Sequence, residues 1–174
     1  MFDSRNWLTG ITDGEGSFIM SIENQKVKHR SGNITENYMR IHLRFTITLR
    51  KDDLLSLLKI QNIIGTGRIY HSSPKTIKGR NPNPTSCLSI RGTKQCHEFI
   101  VPHFTKFPLQ TKKARDFEIW KQAVAIMFKK SQRRRTGMKY REPPILWLPG
   151  ELEEIKMLCA ALKSARLYRE PQLY

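Results

Sequence analysis

Hydrophobic and polar residues alternate along residues 38–50, and this period of two predicts an amphipathic β-strand. Its polar face carries three arginines and no acidic residue. A weaker alternation over residues 17–25 predicts a preceding strand, with Ile19 as the exception on its polar side. Two shorter strands are predicted at residues 68–72 and 86–91. The pattern therefore indicates two β-ribbons.

The first two helices are predicted from apolar positions that recur at helical spacing. Ser4 or Asn6 can cap the first helix, which Gly14 and Gly16 then end. Asp52 or Asp53 opens the second helix. Several apolar residues of the second helix are expected to face inward: Leu54, Leu55, Leu58 and residues 60–64.

Three further helices are predicted at residues 93–104, at residues 111–130 and from Glu151 onward. Residues 131–141, together with the prolines that follow, predict a loop. The order is therefore α-β-β-α-β-β-α-α, a basic loop, and a last helix. It indicates an α+β fold in one domain that spans residues 1–174.

Charge narrows the class of partner. The chain has 31 Lys and Arg against 15 Asp and Glu, a net charge of +16 and a pI of about 10.1. Such an excess of positive charge indicates that the binding partner is a polyanion, and a membrane surface is the main alternative. No apolar run is long enough to span a bilayer, so no membrane insertion is expected. Residues 66–97 contain no acidic residue, which concentrates the positive charge.

The three cysteines, Cys87, Cys96 and Cys159, form no C-x-x-C pair. They predict reduced, mostly buried thiols rather than a disulfide framework or a zinc site. The N-terminus lacks both an apolar signal region and an Arg-rich presequence. We therefore expect a soluble intracellular protein, with organelle (mitochondrion or chloroplast), bacterial and phage origins all open.

Residues 8–16, Leu-Thr-Gly-Ile-Thr-Asp-Gly-Glu-Gly, form the segment with the most unusual chemistry. Gly10 and Gly14 are four residues apart and share a helix face, where small side chains permit close helix–helix packing. Asp13 and Glu15 fall at the C-terminal end of the helix, where the macrodipole disfavours acids unless a cation binds. The segment is either a metal site or a helix cap with a solvated acid.

This segment resembles the signature of the LAGLIDADG homing endonucleases. Leu8, Gly10, Asp13 and Gly16 are identical in type, and Glu15 stands where the family usually has its second acid.

Further similarity extends beyond the motif. Residues 17–18 and 107–113 are family-like, and the element order matches the family core over about residues 4–130. The basic loop and C-terminal helix at 131–174 follow that core. The resemblance implies an αββαββα fold whose saddle-shaped antiparallel sheet binds double-stranded DNA.

In this family two motif helices pack together, and their acidic ends meet over the scissile phosphates. Because this chain has one motif, the resemblance implies a homodimer with Leu8, Gly10, Ile11 and Gly14 at the seam. Glu15 from each subunit, with a carbonyl near Gly14, would hold divalent cations. Mg²⁺ is expected first, and Mn²⁺ or Ca²⁺ could also occupy the site.

Lysines complete the predicted catalytic set. Lys112 and Lys113 are the candidates for a basic residue that assists phosphodiester cleavage. The family often has Gln and Arg near the start of its second helix, and here Arg50 and Lys51 are the plausible substitutes.

Recognition of a long, near-palindromic DNA site is expected from the ribbons, because the major groove admits two strands. Candidates for base contacts lie on the polar strand faces: Ser21, Glu23, Gln25, Arg40, His42, Arg44, Thr46, Arg68, Tyr70, Ser89 and Arg91. Candidates for phosphates or flanking bases lie in the connections: Lys26, Lys28, Arg30, Lys75, Lys78 and Arg80. The arginine run after Ser131 predicts salt-sensitive backbone affinity.

Two other functions fit the same residues. One is an RNA-binding intron maturase of the same fold that no longer cuts DNA, although the acid at position 15 favours cutting. The other is a plain basic nucleic-acid-binding protein, for which binding would show no sequence preference.

Overall fold

The computed structural model describes residues 3–28, 34–72, 83–133 and 147–167, with the backbone alone at 25–28 and 34–38. The chain forms α1 (Ser4–Glu15), β1 (Gly16–Lys28), β2 (Ile34–Arg50), α2 (Leu54–Ile64), β3 (Arg68–Ser72), β4 (Thr85–Arg91), α3 (Thr93–Gln95), α4 (Val101–Lys106), α5 (Lys113–Arg133) and α6 (Glu151–Ala165). A 3-10 turn precedes α2, and a π-helical segment, Cys96–Ile100, joins α3 to α4. The predicted α+β class and element order are confirmed.

The four strands form one antiparallel sheet in the order β1-β2-β4-β3. In the long β1–β2 hairpin, Gly16 lies opposite Ile47 and Glu23 opposite Arg40. The β2–β4 pair places Arg44 opposite Arg91 and joins the two ribbons into a continuous sheet. Residues on alternate positions of all four strands therefore share one face.

The other face of the sheet is covered by helices and encloses an aromatic core. Phe18 is at its centre, with its ring centroid 5.2 Å from that of Phe45 and 5.4 Å from that of Trp120. Trp120 also donates a hydrogen bond from Nε1 to the carbonyl of Ile19 at 3.1 Å. This bond anchors α5 on β1, one of the two edge strands of the sheet.

Gly16 allows α1 to turn directly into β1. Its φ of −73° is ordinary, but an added Cβ would lie 2.4 Å from Thr12 Cγ2 and 2.7 Å from Thr12 O. The close approach of the backbone, rather than an unusual conformation, requires glycine at this position.

Several predicted helix boundaries are wrong. Asp3 caps α1 by accepting a hydrogen bond from Arg5 N at 2.9 Å, so neither Ser4 nor Asn6 has this role. α5 begins at Lys113 and continues to Arg133, which makes 131–133 helical instead of part of a loop. Residues 134–146 lie outside the described segments.

The prediction for residues 93–104 also needs correction, because the helix there changes type. Val101 N donates to Cys96 O, a π-helical bond, one residue before Pro102. Proline has no N–H for an α-helical bond to Glu98, so the helix cannot continue with regular α bonding.

α2 turns fewer leucines inward than predicted. Leu57, Ile60 and Ile64 are buried, whereas Leu55 is 80% exposed and Leu58 is 45% exposed. A helix presents one stripe to the core, so leucines around its whole circumference cannot all be buried.

The cysteine side chains are free thiols with little exposure to solvent. The three cysteines are free, with Cys96 and Cys159 buried and Cys87 half-buried. Desolvation raises the pKa of Cys96 to about 12, so its thiolate is disfavoured at neutral pH. As to membranes, no helix in the described ranges is both long and apolar enough to cross one.

The start of α6 gives a pH-dependent stability prediction. Glu151 accepts hydrogen bonds from Arg133 Nη2 and from Leu148 N, and the bond from Arg133 lowers the pKa of the Glu151 carboxyl. A depressed folded-state pKa stabilises the fold above the unfolded-state value, and this is lost as pH falls through the folded-state pKa. Glu151→Gln should therefore lower the free energy of unfolding at about pH 7, and the difference from wild type should shrink as pH falls through the lowered pKa of Glu151.

Urea unfolding at a series of pH values from neutral to acid measures this difference. Glu154→Gln, an exposed acid in the same first turn, is the control and should have a smaller effect at neutral pH. Equal losses for the two variants would contradict the assigned ion pair.

Candidate active site and nucleic-acid interface

The C-terminal end of α1 meets the start of α5 through Lys113. Lys113 Nζ donates hydrogen bonds to Gly14 O at 2.7 Å and to Thr12 O at 3.1 Å. Gly14 lies in the last turn of α1, where carbonyls lack a partner within the helix and form its negative pole, whereas Thr12 O also accepts a hydrogen bond from Gly16 N. An ammonium group therefore stabilises the end of α1.

The environment of Lys113 acts on its charge in two directions. Burial lowers its pKa below the ordinary lysine value, and the nearby carboxylates of Glu15, Asp13 and Asp116 oppose this shift. Lys112, the other predicted lysine, is exposed. The structure thus brings Lys113, and not Lys112, into contact with the α1 carbonyls.

Glu15 is the last residue of α1, and its side chain is exposed and makes no hydrogen bond with another described residue. Its carboxylate oxygens are therefore open to a ligand, next to the Gly14 carbonyl. No group of three or more His, Cys, Asp or Glu side chains suited to a metal is found in the described segments.

The carboxylate of Asp13, unlike that of Glu15, is held by hydrogen bonds within the chain. Its carboxylate accepts hydrogen bonds from Gln110 N at 2.9 Å, from Thr111 N at 3.1 Å and from Thr111 Oγ1 at 2.7 Å. This carboxylate holds the turn that starts α5, and so it positions Lys113. The sequence could not distinguish these roles, because both acids fall at the same helix end.

Asp13→Ala should lower the free energy of unfolding by about 2 kcal/mol, because the turn loses three bonds to a charged acceptor. It should also reduce any activity that depends on the position of Lys113. Chemical denaturation measures the stability. The control is Asp53→Ala, since Asp53 is exposed and forms no side-chain capping bond. Equal stability losses in the two variants would show that the Asp13 contacts contribute little.

Sequence reasoning missed one basic residue near this site. Arg166, just after α6, donates from Nε to Asp116 Oδ2 at 3.1 Å and from Nη2 to Phe18 O. A cleft of about 220 Å³ lies between these residues and the start of α5, lined by Gly16, Ser17, Phe18, Lys112, Lys113, Asp116, Ala165 and Arg166. Arg166 is far from the motif in sequence, and a basic residue at a helix end ordinarily complements the dipole, so no pattern indicated this contact.

The basic residues predicted near the start of the second helix lie just before it, at the end of β2 and in the 3-10 turn. Arg50 pairs with Asp52, with Nη2 2.6 Å from Oδ2, and both side chains are largely exposed. Lys51 is also exposed.

The predicted seam residues of α1 divide between its surface and the core. Gly10 and Gly14 are exposed, and beyond its chain neighbours and the α1 backbone a Cβ added at either would meet no described atom within 4 Å. Ile11 and Trp7 are partly buried and continue this stripe at helical spacing. Leu8 is fully buried in the core of this chain, so its side chain packs between α1 and the core instead of lying on the exposed surface of α1.

The polar face of the sheet brings the predicted DNA-contacting residues into rows across the strands. One row contains Thr46, Ser89 and Arg68, and the next contains Ile19, Arg44 and Arg91. Further rows pair Ser21 with His42 and Glu23 with Arg40, and Tyr70 lies opposite Cys87.

Exposure differs strongly within this face. Thr46 is 8% exposed and Ser89 3%, so these side chains form the floor of the face, whereas Arg40, Arg68, Tyr70 and Arg91 are exposed. His42 Nε2 lies 3.2 Å from Glu23 Oε2. A groove of about 600 Å³ runs along β1, β2 and the end of β4, with Ser21, Glu23, Arg40, His42, Arg44 and Arg91 among its lining residues.

Some predicted contacts fall outside the described residues. Arg30, Lys75, Lys78 and Arg80 belong to undescribed ranges, as do the arginines at 134–135. For Gln25, Lys26 and Lys28 the strand position is described but not the side chain.

The motif helix, the sheet and the order of elements define a class of protein, and comparison with family models names it. A model described as LAGLIDADG endonuclease matches residues 8–124. The chain belongs to the LAGLIDADG endonuclease family. A probable intron-encoded endonuclease of Neurospora crassa is 31% identical over 134 residues, which are 77% of this chain and 26% of that protein. The chain spans about a quarter of the length of the curated relatives it matches.

Solved structures share the fold. I-SmaMI, bound to an uncleaved DNA target in the presence of calcium ions, matches with a TM-score of 0.66 at 22% identity, over 94% of this chain and 46% of that chain. The homing endonuclease I-TnaI matches with a TM-score of 0.64 at 20% identity, over 95% of this chain and 97% of that chain. The four-stranded antiparallel sheet covered by helices is thus the LAGLIDADG homing endonuclease fold.

Proposed function

We propose that this chain is a site-specific double-strand DNA endonuclease that uses divalent metal ions and acts as a homodimer. The observation that carries the proposal is the meeting of Glu15, the Gly14 carbonyl and Lys113 at the end of α1. The polar face of the sheet begins at the next residues of β1. The proposed catalytic residues and the proposed DNA-binding face are therefore adjacent in the chain.

The donor atoms at this site fit a hard cation. Glu15 offers carboxylate oxygens and Gly14 a carbonyl oxygen, which suit Mg²⁺ and are compatible with Mn²⁺ or Ca²⁺. When bound, such an ion supplies Lewis-acid polarisation of the scissile phosphate and a more acidic water. Lys113 fixes the Gly14 carbonyl, and its positive charge offsets the charge that develops on the phosphate.

A second copy completes the site. One chain supplies one open carboxylate, and a twofold-related α1 brings a second Glu15 to the same place. Gly10 and Gly14 leave the α1 surface free for a close helix contact. Leu55 and Leu58 extend an apolar surface on α2, which packs against α1.

The charge of the sheet face supports DNA as the partner. Arg44 and Arg91 lie directly opposite each other, and neither pairs with a carboxylate in the described segments. Like charges in this position are destabilising unless an anion compensates them. We therefore assign the face to the major groove of DNA, with phosphates reached from its edges.

Selection of cut duplexes from a randomised DNA library, with Mg²⁺ and the full chain, tests the activity. We expect cleavage of both strands at one long, near-palindromic sequence and no cleavage in EDTA. Cleavage without sequence preference would contradict the proposal, and so would the absence of cleavage. Binding to a structured RNA without DNA cleavage would favour a maturase.

Gly10→Leu tests the second copy. Beyond its chain neighbours and the backbone of its own helix, no described atom lies within 4 Å of an added Cβ, so the folded monomer should keep its melting temperature. The bulk should block the helix contact, leaving a monomer that no longer cuts both strands. Sedimentation with and without duplex DNA measures the association.

Lys156→Leu on the exposed surface of α6 is the control and should associate as wild type does. A wild-type chain that stays monomeric while it cuts would overturn the shared site, as would unimpaired cutting by Gly10→Leu.

A further inference from the structure

Two neighbours on the sheet face orient the side chain of Arg91. Its Nε donates a hydrogen bond to Ser89 Oγ at 3.1 Å, and its Cζ lies 5.0 Å from the ring centroid of Tyr70. Ser89 is 3% exposed, so the accepting hydroxyl is held within the sheet. Arg91 itself is exposed. The guanidinium is therefore held in place before any ligand arrives, which reduces the entropy lost on binding.

These contacts leave the outer edge of the guanidinium available. Nη1 and Nη2 form no hydrogen bond with another described residue, and Arg44 faces Arg91 across the β2–β4 pair. Arginine has donors and no acceptor. The ligand that fits this edge must present two neighbouring acceptors.

In the major groove, guanine is the base with two adjacent acceptors, O6 and N7. Adenine places an amino donor beside its N7, cytosine presents a donor, and thymine has one acceptor beside a methyl group. Either amino group would face the N–H groups of Arg91. The donor pattern therefore selects guanine among the bases.

The position of Arg91 favours a base over a phosphate. Arg91 is the last residue of β4, which lies between β2 and β3, and it is paired with Arg44 of β2. Arg91 borders a cleft of about 380 Å³ whose other lining residues are Thr66, Gly67, Arg68, Tyr70, Ser89 and Gln95. Because Ser89 and Tyr70 hold the guanidinium over the polar face beside this cleft, it is placed to meet base edges, while phosphates lie along the groove walls.

We infer that Arg91, held by Ser89 and Tyr70, forms a guanine-binding subsite that sets one position of the DNA sequence. The inference rests on the proposed recognition of DNA by the sheet.

Binding-site selection from randomised duplex DNA in EDTA tests the subsite without cleavage. Wild type should enrich a guanine at one fixed position of each half-site, by roughly ten- to a hundredfold over other bases. Arg91→Ala should abolish the preference at that position and leave the others unchanged. Tyr70→Phe should retain the preference, because the ring remains, whereas Tyr70→Ala and Ser89→Ala should weaken it.

Lys156→Ala, which removes one positive charge from α6, is the matched control and should keep the guanine. Equal weakening of every sequence by Arg91→Ala would assign Arg91 to a phosphate and overturn the subsite alone, as would an unchanged profile. A wild-type protein that enriches no sequence would overturn both the proposed function and the subsite.

Discussion

Glu15→Gln should abolish DNA cleavage, with a loss on the order of a thousandfold, and leave folding and DNA binding intact. The side chain is exposed and has no hydrogen bond with a described residue, so the amide removes no packing or bonding within the chain. It does remove the charged oxygen ligand, and several kcal/mol of transition-state stabilisation should be lost with the cation. Two opposed carboxylates would also disappear from the seam, so association without metal should be at least as tight as in wild type.

The measurement is single-turnover cleavage of the selected duplex in Mg²⁺, beside binding of the same duplex in EDTA. Glu154→Gln on α6 changes an exposed acid in the same way and should cut at the wild-type rate. Equal cleavage by wild type and Glu15→Gln would show that the end of α1 is not the cutting site.

Lys113→Met should reduce cleavage by about a hundredfold, whereas Lys112→Met should have a much smaller effect. Lys113 Nζ contacts two carbonyls at the end of α1, and Lys112 is an exposed neighbour without these contacts. The pair is matched in size and charge and differs by one position. Similar losses in both variants would indicate that general positive charge, not the Lys113 contact, assists cleavage.

The pH dependence separates the charge of Lys113 from its bulk. Burial lowers the pKa of Lys113, so its ammonium loses a proton at lower pH than an ordinary lysine. If the protonated ammonium of Lys113 is the active form, the cleavage rate falls as pH rises through the lowered pKa of Lys113. Lys113→Arg keeps the charge and should remove the alkaline fall, whatever its maximal rate. A wild-type rate that keeps rising to about pH 10 would instead favour the neutral amine as a base.

Periodicity determined most of the fold because each element has a strong local signal. The alternation at 38–50 placed the polar face of β2, and the motif placed α1 within a residue of its observed end. The prediction of which residues are buried failed where the local pattern was ambiguous. α2 has leucines on several faces, and only packing against the core decided that Leu57 is buried while Leu55 is exposed.

The active-site prediction was incomplete for a related reason. The sequence indicated acids at the end of α1 and a lysine near residue 112 or 113, but it contains no signal for contacts between residues about 100 positions apart. Asp13 bonds to Thr111, and Lys113 bonds to Gly14, because α5 begins beside the end of α1 in three dimensions. Arg166 could not be found at all, since its partner Asp116 is on another helix.

For the helix from Ser4 to Glu15, the sequence and the tertiary structure determine different properties. Sequence alone determined that it is a helix with glycines on one face and acids at its tip, because those properties depend on residue type and spacing. Tertiary structure decided which acid is open and which lysine contacts the helix end. It also decided that Leu8 supports the core while Gly10 remains on the surface. These outcomes depend on how α1 lies against α5 and the sheet, and spacing along one helix cannot specify that arrangement.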